Sequence, residues 1–326
     1  MKKYKYIIII AFLILCIFGG LSFLYKYQTR DFVYTKLEDG TLELTRYTGD
    51  DPVVNIPEKV WGRKVTRIGI ACFVINRDPL NYQVYIPDTV TCIGDGAFER
   101  CQDLIITGGE NVEEIRASAF RACSFAEPFK FSDKLKTIGG WAFAGARGIG
   151  PIKLNEQLEY IRSFAFYYAE IEDLEIPENV SHIGSSAFEG TKWFEDQTGY
   201  VIVGQNILIK FPEEETVVIP SGVRMISVSE FYGDEITKNI YIPNSVEIIE
   251  NPIMSYALDT LKIYIPASVH TIESDEGEEF NKIIFGGLQN VVFIVEEGSY
   301  AEEYAKKISE KYKSEYQVVE KIEYSD

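Results

Sequence analysis

Few residues in this chain could carry catalysis. Histidine is the commonest proton carrier near neutral pH, and the sequence holds only His182 and His270. Each fills a variable position of a V-x-x-I motif, in stretches that several repeats separate. At about 5 Å per turn the two cannot meet, and both read as solvated repeat residues, since an acid or base must reach its partner. Cys72, Cys92, Cys101 and Cys123 lack zinc-type C-x-x-C spacing. Cys101 and Cys123 hold the same rank in successive turns, where the backbone spacing suits either a disulfide or two free thiols. The acidic run Glu273-Ser274-Asp275-Glu276-Gly277-Glu278-Glu279 suggests calcium but lacks the EF-hand register, and it reads as a solvated loop. No H-E-x-x-H, G-x-S-x-G or Walker loop occurs. The sequence therefore assigns no catalytic residue, no metal site and no cofactor.

What would position any functional residue is a repeat. The last residues of the V-x-x-I rank are Ile68, Ile93, Ile115, Ile138, Ile161, Ile183, Ile226, Ile249 and Ile272, spaced by 22 to 25 residues except for one step of 43. Such a period marks a solenoid. Five positions on comes a large side chain: Phe73, Phe98, Phe120, Phe143, Phe166, Phe188, Phe231 and then Met254. Three further on comes a small one: Cys101, Cys123, Ala146, Ala169, Thr191 and Ala257. The pattern predicts a mostly β, curved solenoid of about nine turns. Each turn has short extended segments ended by proline, as at Leu174 to Pro177, and one irregular or helical turn at the A-F segment.

These motifs resemble those of the BspA-like leucine-rich repeat surface proteins, whose repeats read L-x-x-I-x-I-P-x-x-V-x-x-I-G-x-x-A-F-x-x-C. Ile86-Pro87, Ile93-Gly94, Ala97-Phe98 and Cys101 all fall at the right ranks in one turn, and the similarity runs over roughly residues 32 to 305. The resemblance implies a leucine-rich repeat solenoid with a surface role, no shared catalytic residues and varied ligands. It also implies that Cys101 and Cys123 are small apolar side chains with free thiols.

The ends and the 43-residue step depart from the repeat. Phe32 to Tyr47 reads as a hairpin turning at Asp39-Gly40, so residues 28–52 form an N-terminal cap, residues 53–297 the solenoid and residues 298–326 a C-terminal cap. Ser299 and Glu302 form a capping box. After it, Tyr300, Tyr304, Ile308 and Tyr312, with Ala301 and Ala305, lay a stripe at helical spacing. Val318, Val319 and Ile322 suggest a last strand. Within the long step, an insertion at 192–215, Tyr200 to Phe211 reads as a hairpin about Gly204, Gln205 and Asn206. It would pack laterally on neighbouring turns or serve as a binding element. The resemblance extends to it, in the W-x-x-x-x-x-x-Y-V-I-V-G-x-x-I-L-I-K segment from Trp193.

Charge and leader bound the role. The net charge is −18, and residues 1–30 hold five basic and no acidic residues, which leaves −23 on the remainder. Nucleic acid is excluded as a partner, since phosphate neutralisation needs excess lysine and arginine. Lys2, Lys3 and Lys5 precede an uncharged run from Ile7 to Leu24, 18 residues long, near the lower limit for a bilayer span. Residues 1–27 are expected to be an uncleaved signal-anchor, cytoplasmic at the N-terminus with the repeats outside; the alternative is secretion after cleavage. A monomer is expected. The outward strand position two before each proline, or its equivalent, predicts one stacked ladder: Asn55, Tyr85, Thr107, Lys130, Lys153, Glu175, Val218, Tyr241 and Tyr264. Tyr85, Lys130, Lys153, Glu175, Val218, Tyr241 and Tyr264 are the candidate binding face for an unidentified protein or glycan, with the two lysines a positive strip. The expected function is a membrane-tethered cell-surface binding or adhesion module. A cell-envelope spacer is the alternative, and a hydrolase is a poor third.

Overall fold

The computed structural model describes residues 31–73, 82–228, 236–250, 260–273, 291–312 and 315–322. The segment expected to be an anchor (1–27), Phe231, Met254, Ala257 and the acidic run after Glu273 lie outside them. Among the described residues, no helix is long and apolar enough to cross a membrane.

The isoleucine rank builds one face. Strands β1 (Phe32–Lys36), β2 (Leu42–Tyr47), β3 (Val53–Asn55), β4 (Lys59–Val60), β5 (Arg63–Ile68), β6 (Gln83–Ile86) and β7 (Cys92–Ile93) open the chain. Next come β8 (Ile105–Gly108), β9 (Glu114–Ile115), β10 (Thr137–Ile138), β11 (Ile152–Lys153), β12 (Tyr160–Ile161), β13 (Leu174–Glu175) and β14 (His182–Ile183). β2, β5, β7, β9, β10, β12 and β14 pair in parallel with the isoleucines in register, Ile68 beside Ile93, Ile93 beside Ile115 and onward. The I-x-I-P rank builds a second face, beginning with β3-β6-β8 and β11-β13. The A-F segment adds a third line of bonds. It is a run of tight turns, not a helix: the residue three after the isoleucine has positive φ in turn after turn, as at Ser118 (55°), Trp141 (59°) and Ser186 (54°). The phenylalanine N–H of one turn then donates to the alanine carbonyl of the next, Phe120 to Ala142 at 2.7 Å and Phe143 to Ala165 at 2.7 Å.

Between the faces the phenylalanines stack. Ring centroids from Phe73 through Phe98, Phe120, Phe143, Phe166 and Phe188 lie 4.6, 5.1, 5.1, 5.3 and 5.7 Å apart, with planes within 15°. All six rings are buried. Each contact adds about 0.5–1.5 kcal/mol beyond area burial. The N-terminal hairpin seals one end of this column, Tyr47 meeting Phe73 at 5.5 Å. Its connection is a five-residue loop, 37–41, where a two-residue turn at Asp39-Gly40 was expected. The Asp39 carboxylate takes the Thr41 N–H (2.9 Å) and hydroxyl (2.6 Å), while the Thr41 carbonyl still accepts the Leu37 N–H at 2.9 Å. The tight two-residue turn lies instead at Trp61-Gly62, both at positive φ (51° and 77°), between antiparallel β4 and β5.

The 43-residue step is a rebuilt turn and not a lateral appendage. Thr191 caps a short helix, α1 (Lys192–Glu195). Strands β15 (Val201–Val203) and β16 (Ile207–Lys210) form the hairpin about residues 204–206. β16 pairs in parallel with β18 (Met225–Ile226), Leu208 beside Ile226, and Gln205 N–H donates to the Val180 carbonyl at 2.8 Å. The hairpin supplies the missing rung, giving about ten turns in place of nine. Trp193 packs on Phe188 at 5.3 Å and closes the ring column.

Beyond it, β17 (Thr216–Val218), β19 (Asn239–Tyr241), β20 (Ile248–Glu250), β21 (Leu261–Ile265), β22 (Thr271–Glu273), β23 (Val291–Glu296) and β24 (Glu315–Val319) continue both faces. A second core cluster of valines and isoleucines fills the space between them. Helix α2 (Tyr300–Tyr312) closes the far end. Ser299 Oγ accepts the Glu302 N–H (3.1 Å), while the Glu302 carboxylate reaches back to the Gly298 N–H (2.7 Å). Ala301, Ala305 and Ile308 form its buried stripe, whereas Tyr300 is exposed, contrary to the expected register of tyrosines. β24 holds Val318 and Val319 as expected, but Ile322 lies past its end, buried.

Candidate binding face

Strand alternation decides which side chains look outward. On the I-x-I-P face, Val84, Ile86, Val217, Ile240, Ile263 and Ile265 point into the core, so their neighbours in sequence face out. The expected ladder is in register wherever strands exist: Asn55 beside Tyr85, Tyr85 beside Thr107, Lys153 beside Glu175, and Val218 beside Tyr241 beside Tyr264.

It is not, however, one ladder. The rungs belong to sheets of three, two and five strands. Lys130 lies in no strand. Pro128 has no N–H to donate, and Phe125, Phe129 and Phe131 turn inward against Phe120 and Phe143, replacing strand pairing with ring packing. The second break is the rebuilt turn, which places helix α1 and a hairpin arm between β13 and β17. The positive strip does not form either. Lys130 is paired with Glu110 at 3.1 Å and Lys153 with Glu175 at 3.5 Å. Exposed pairs of this kind contribute about 0–1 kcal/mol, but they neutralise the lysines in place.

What remains contiguous is the row Val218, Tyr241, Tyr264 on the five-stranded sheet, continued by Ile294, which is buried, and Gln317. The two tyrosine rings stack at 4.1 Å and 11°. A hydrogen bond with Tyr264 holds the Tyr241 phenol above its ordinary value, and burial adds to the shift. Both rings are half-exposed, and Val218 is 48% exposed. Tyr85 is 42% exposed but stands apart, in the three-stranded sheet.

The histidines and cysteines resolve separately. His270 is exposed, as expected. His182 is not a solvated residue: its ring is half-buried, with Nε2 3.4 Å from the buried carboxylate of Glu250. A buried carboxylate needs such a partner. The sequence signal was Glu250 itself, an acid at the rank after the isoleucine, where Gly69, Gly94, Gly139 and Gly184 stand in other turns. The four described cysteines, Cys72, Cys92, Cys101 and Cys123, are free and buried. Burial pushes the thiols of Cys92 and Cys101 up to about 12 and those of Cys72 and Cys123 further still. Among the described residues, no group of three or more His, Cys, Asp or Glu is placed to hold a metal ion.

A family model for the BspA type leucine rich repeat region matches the chain in six copies, over residues 63–195 and 202–290. No curated protein matches. Among solved structures, the chain is similar to a leucine rich cell surface protein from Faecalibacterium prausnitzii, at 20% identity and a TM-score of 0.44, covering 78% of this chain and 96% of that one. It is similar also to a leucine-rich repeat protein from Bacteroides ovatus (17%, TM-score 0.39, covering 89% and 98%) and to one from Eubacterium ventriosum (21%, TM-score 0.40, covering 75% and 66%).

Proposed function

Because this chain belongs to the BspA-type leucine-rich repeat family, we propose that it is an exported binding module, held at the membrane by residues 7–24 and presenting the Val218-Tyr241-Tyr264 row to a protein partner at the cell surface. The observation that carries this reading is the stacked pair Tyr241 and Tyr264, half-exposed on the longest continuous stretch of the outward face. Tyrosine offers broad contact area with few rotors and is enriched among interface anchors. The pair is set by parallel strands whose inward neighbours Ile240 and Ile263 are fully buried, so binding meets a surface that is already ordered. The basic leader and its 18-residue apolar run supply the tether.

Two experiments test the parts. Protease added to intact cells should remove the repeats while the leader stays with the membrane; a mature protein in the medium starting near residue 20 to 28 would replace the anchor with a cleaved signal. Immobilised protein and a Tyr241→Ser/Tyr264→Ser variant, compared as baits, should differ in one saturable partner. Failure of any partner to saturate the wild type would leave the cell-envelope spacer as the better description.

A further inference from the structure

At the rebuilt turn the I-x-I-P face loses a rung, and a cleft of about 500 Å³ opens beside β13. Its walls include Tyr168, the carboxylates of Glu170, Glu172 and Asp173, and Lys192 at the start of α1. The volume falls within the range of small-molecule and peptide side-chain pockets.

Tyr168 is 60% exposed, yet it is fixed. Its ring lies directly on the bare Cα of Gly190, where a Cβ would stand 2.7 Å from three ring atoms. Its edge meets Tyr167 at 4.6 Å, and Tyr167 packs in turn on the stacked pair Trp141 and Phe164. A ring held this firmly and left open offers a pre-ordered face on which a planar cation or an apolar group can stack.

The charges around it are uneven. Lys192 is tied to Asp196 at 2.6 Å, and the Glu172 carboxylate of the cleft also acts on its charge. Glu170 is 3.8 Å from Arg147 and accepts the Gly148 N–H at 3.3 Å. Glu172 and Asp173 are exposed and make no ion pair among the described residues. The open ring therefore stands beside two exposed carboxylates that make no ion pair among the described residues, only one of them, Glu172, acting on Lys192, on a chain whose net charge of −18 draws cations toward it.

We infer that this cleft binds an arginine-bearing segment of a partner protein, the guanidinium stacking on Tyr168 and pairing with Glu172 and Asp173. Guanidinium is planar, weakly hydrated and able to stack and pair bidentately at once, better than a compact, strongly hydrated ammonium, while a neutral sugar brings no charge to pair. The site is separate from the Tyr241-Tyr264 row and stands or falls without it.

The test is calorimetric titration of the full chain with the peptide acetyl-Gly-Arg-Arg-Gly-amide, its citrulline counterpart and maltotetraose. The arginine peptide should saturate at one site and weaken as salt rises. Tyr168→Ser, and separately Glu172→Gln with Asp173→Asn, should each weaken it tenfold or more, and the uncharged citrulline peptide should bind at least tenfold more weakly than the arginine peptide. Glu58→Gln with Asp88→Asn, which removes two charges elsewhere, and Tyr241→Ser/Tyr264→Ser should leave binding unchanged. Circular dichroism checks that each variant is folded. No saturation, equal binding of the citrulline peptide, equal loss in the remote charge variant, or maltotetraose binding at Tyr168 in place of the peptide would each overturn the inference.

Discussion

The turns before and after the rebuilt one obey the same isoleucine consensus but are held together differently. Before it, strands β10 to β14 are two residues long, and the column of six phenylalanines fills the interior. After it, the outward sheet has strands of three to six residues, and the described core is mostly aliphatic, with Phe293 among its buried side chains. The short ladder accompanies the rings only from β10 to β14, since β6 and β8 in the earlier ring-filled turns have four residues each; in the half filled by valine and isoleucine the outward strands pair over three to six, as β-branched side chains favour. The seam is visible in single residues: Ile207 and Ile209 of β16 join the first core, and Leu208 between them joins the second. The consensus thus sets the path of the chain, and the second half carries the five-stranded outward sheet. The tyrosine row lies on the half with the longer strands, and the acidic cleft lies at the seam.

The comparison breaks most readily at the ring column. Phe143→Ala should cost about 3–5 kcal/mol in urea denaturation, with hydrogen exchange rising through neighbouring turns and less beyond β16, since repeats are stabilised by their interfaces. A loss below about 1 kcal/mol would mean that the column is not the support. Gly184→Ala comes next, because its Cβ would stand 2.2 Å from the Ser163 nitrogen of the preceding turn. About 1–3 kcal/mol is expected for such overpacking, and an unchanged melting temperature would show that the turns can part without cost. Ile263→Val, in the aliphatic half, should cost only about 0.5–1.5 kcal/mol; parity with Phe143→Ala would erase the distinction between the halves. Ser299→Ala should cost about 1 kcal/mol through the lost cap. The smallest effect is that of Glu302→Gln. A hydrogen bond from Lys306, then the Gly298 N–H, holds the Glu302 carboxyl below its ordinary value. Its contribution is full above the unfolded value and is lost as pH falls through the folded one, so variant and wild type should converge in acid. A gap that widens in acid would contradict that sign.

Much of this was legible in the sequence because repetition carries it. The isoleucine and phenylalanine ranks located two ladders and a ring column, and counting back from proline placed Tyr85, Glu175, Tyr241 and Tyr264 outward in correct register. What misled was the assumption that every turn is built alike. Lys130 keeps the alternation of a rung between the inward Phe129 and Phe131, but Pro128 offers no N–H there and the rings of Phe125 and Phe129 pack on Phe120 in place of strand pairing. The 43-residue step was read as an insertion, although it is close to two periods and its apolar Ile207 to Ile209 is a rung in its own right. The Lys153-Glu175 pair joins residues 22 apart, and the His182-Glu250 pair joins residues 68 apart. Only the first of these follows from the period; the second depends on side chains reaching across several turns. The cleft beside β13 was not foreseen, because it arises from the absence of a rung and not from a motif.

The central claim, that the tyrosine row is the binding face, is tested most directly by calorimetric titration of the partner captured on the wild type against wild type and Tyr241→Ser/Tyr264→Ser, with circular dichroism as the folding control. Loss of a central anchor pair costs about 2 kcal/mol or more, close to thirtyfold in affinity, so the variant should bind about thirtyfold more weakly while its melting curve stays near that of the wild type. Equal affinities in two folded proteins would contradict the account and remove this face from it.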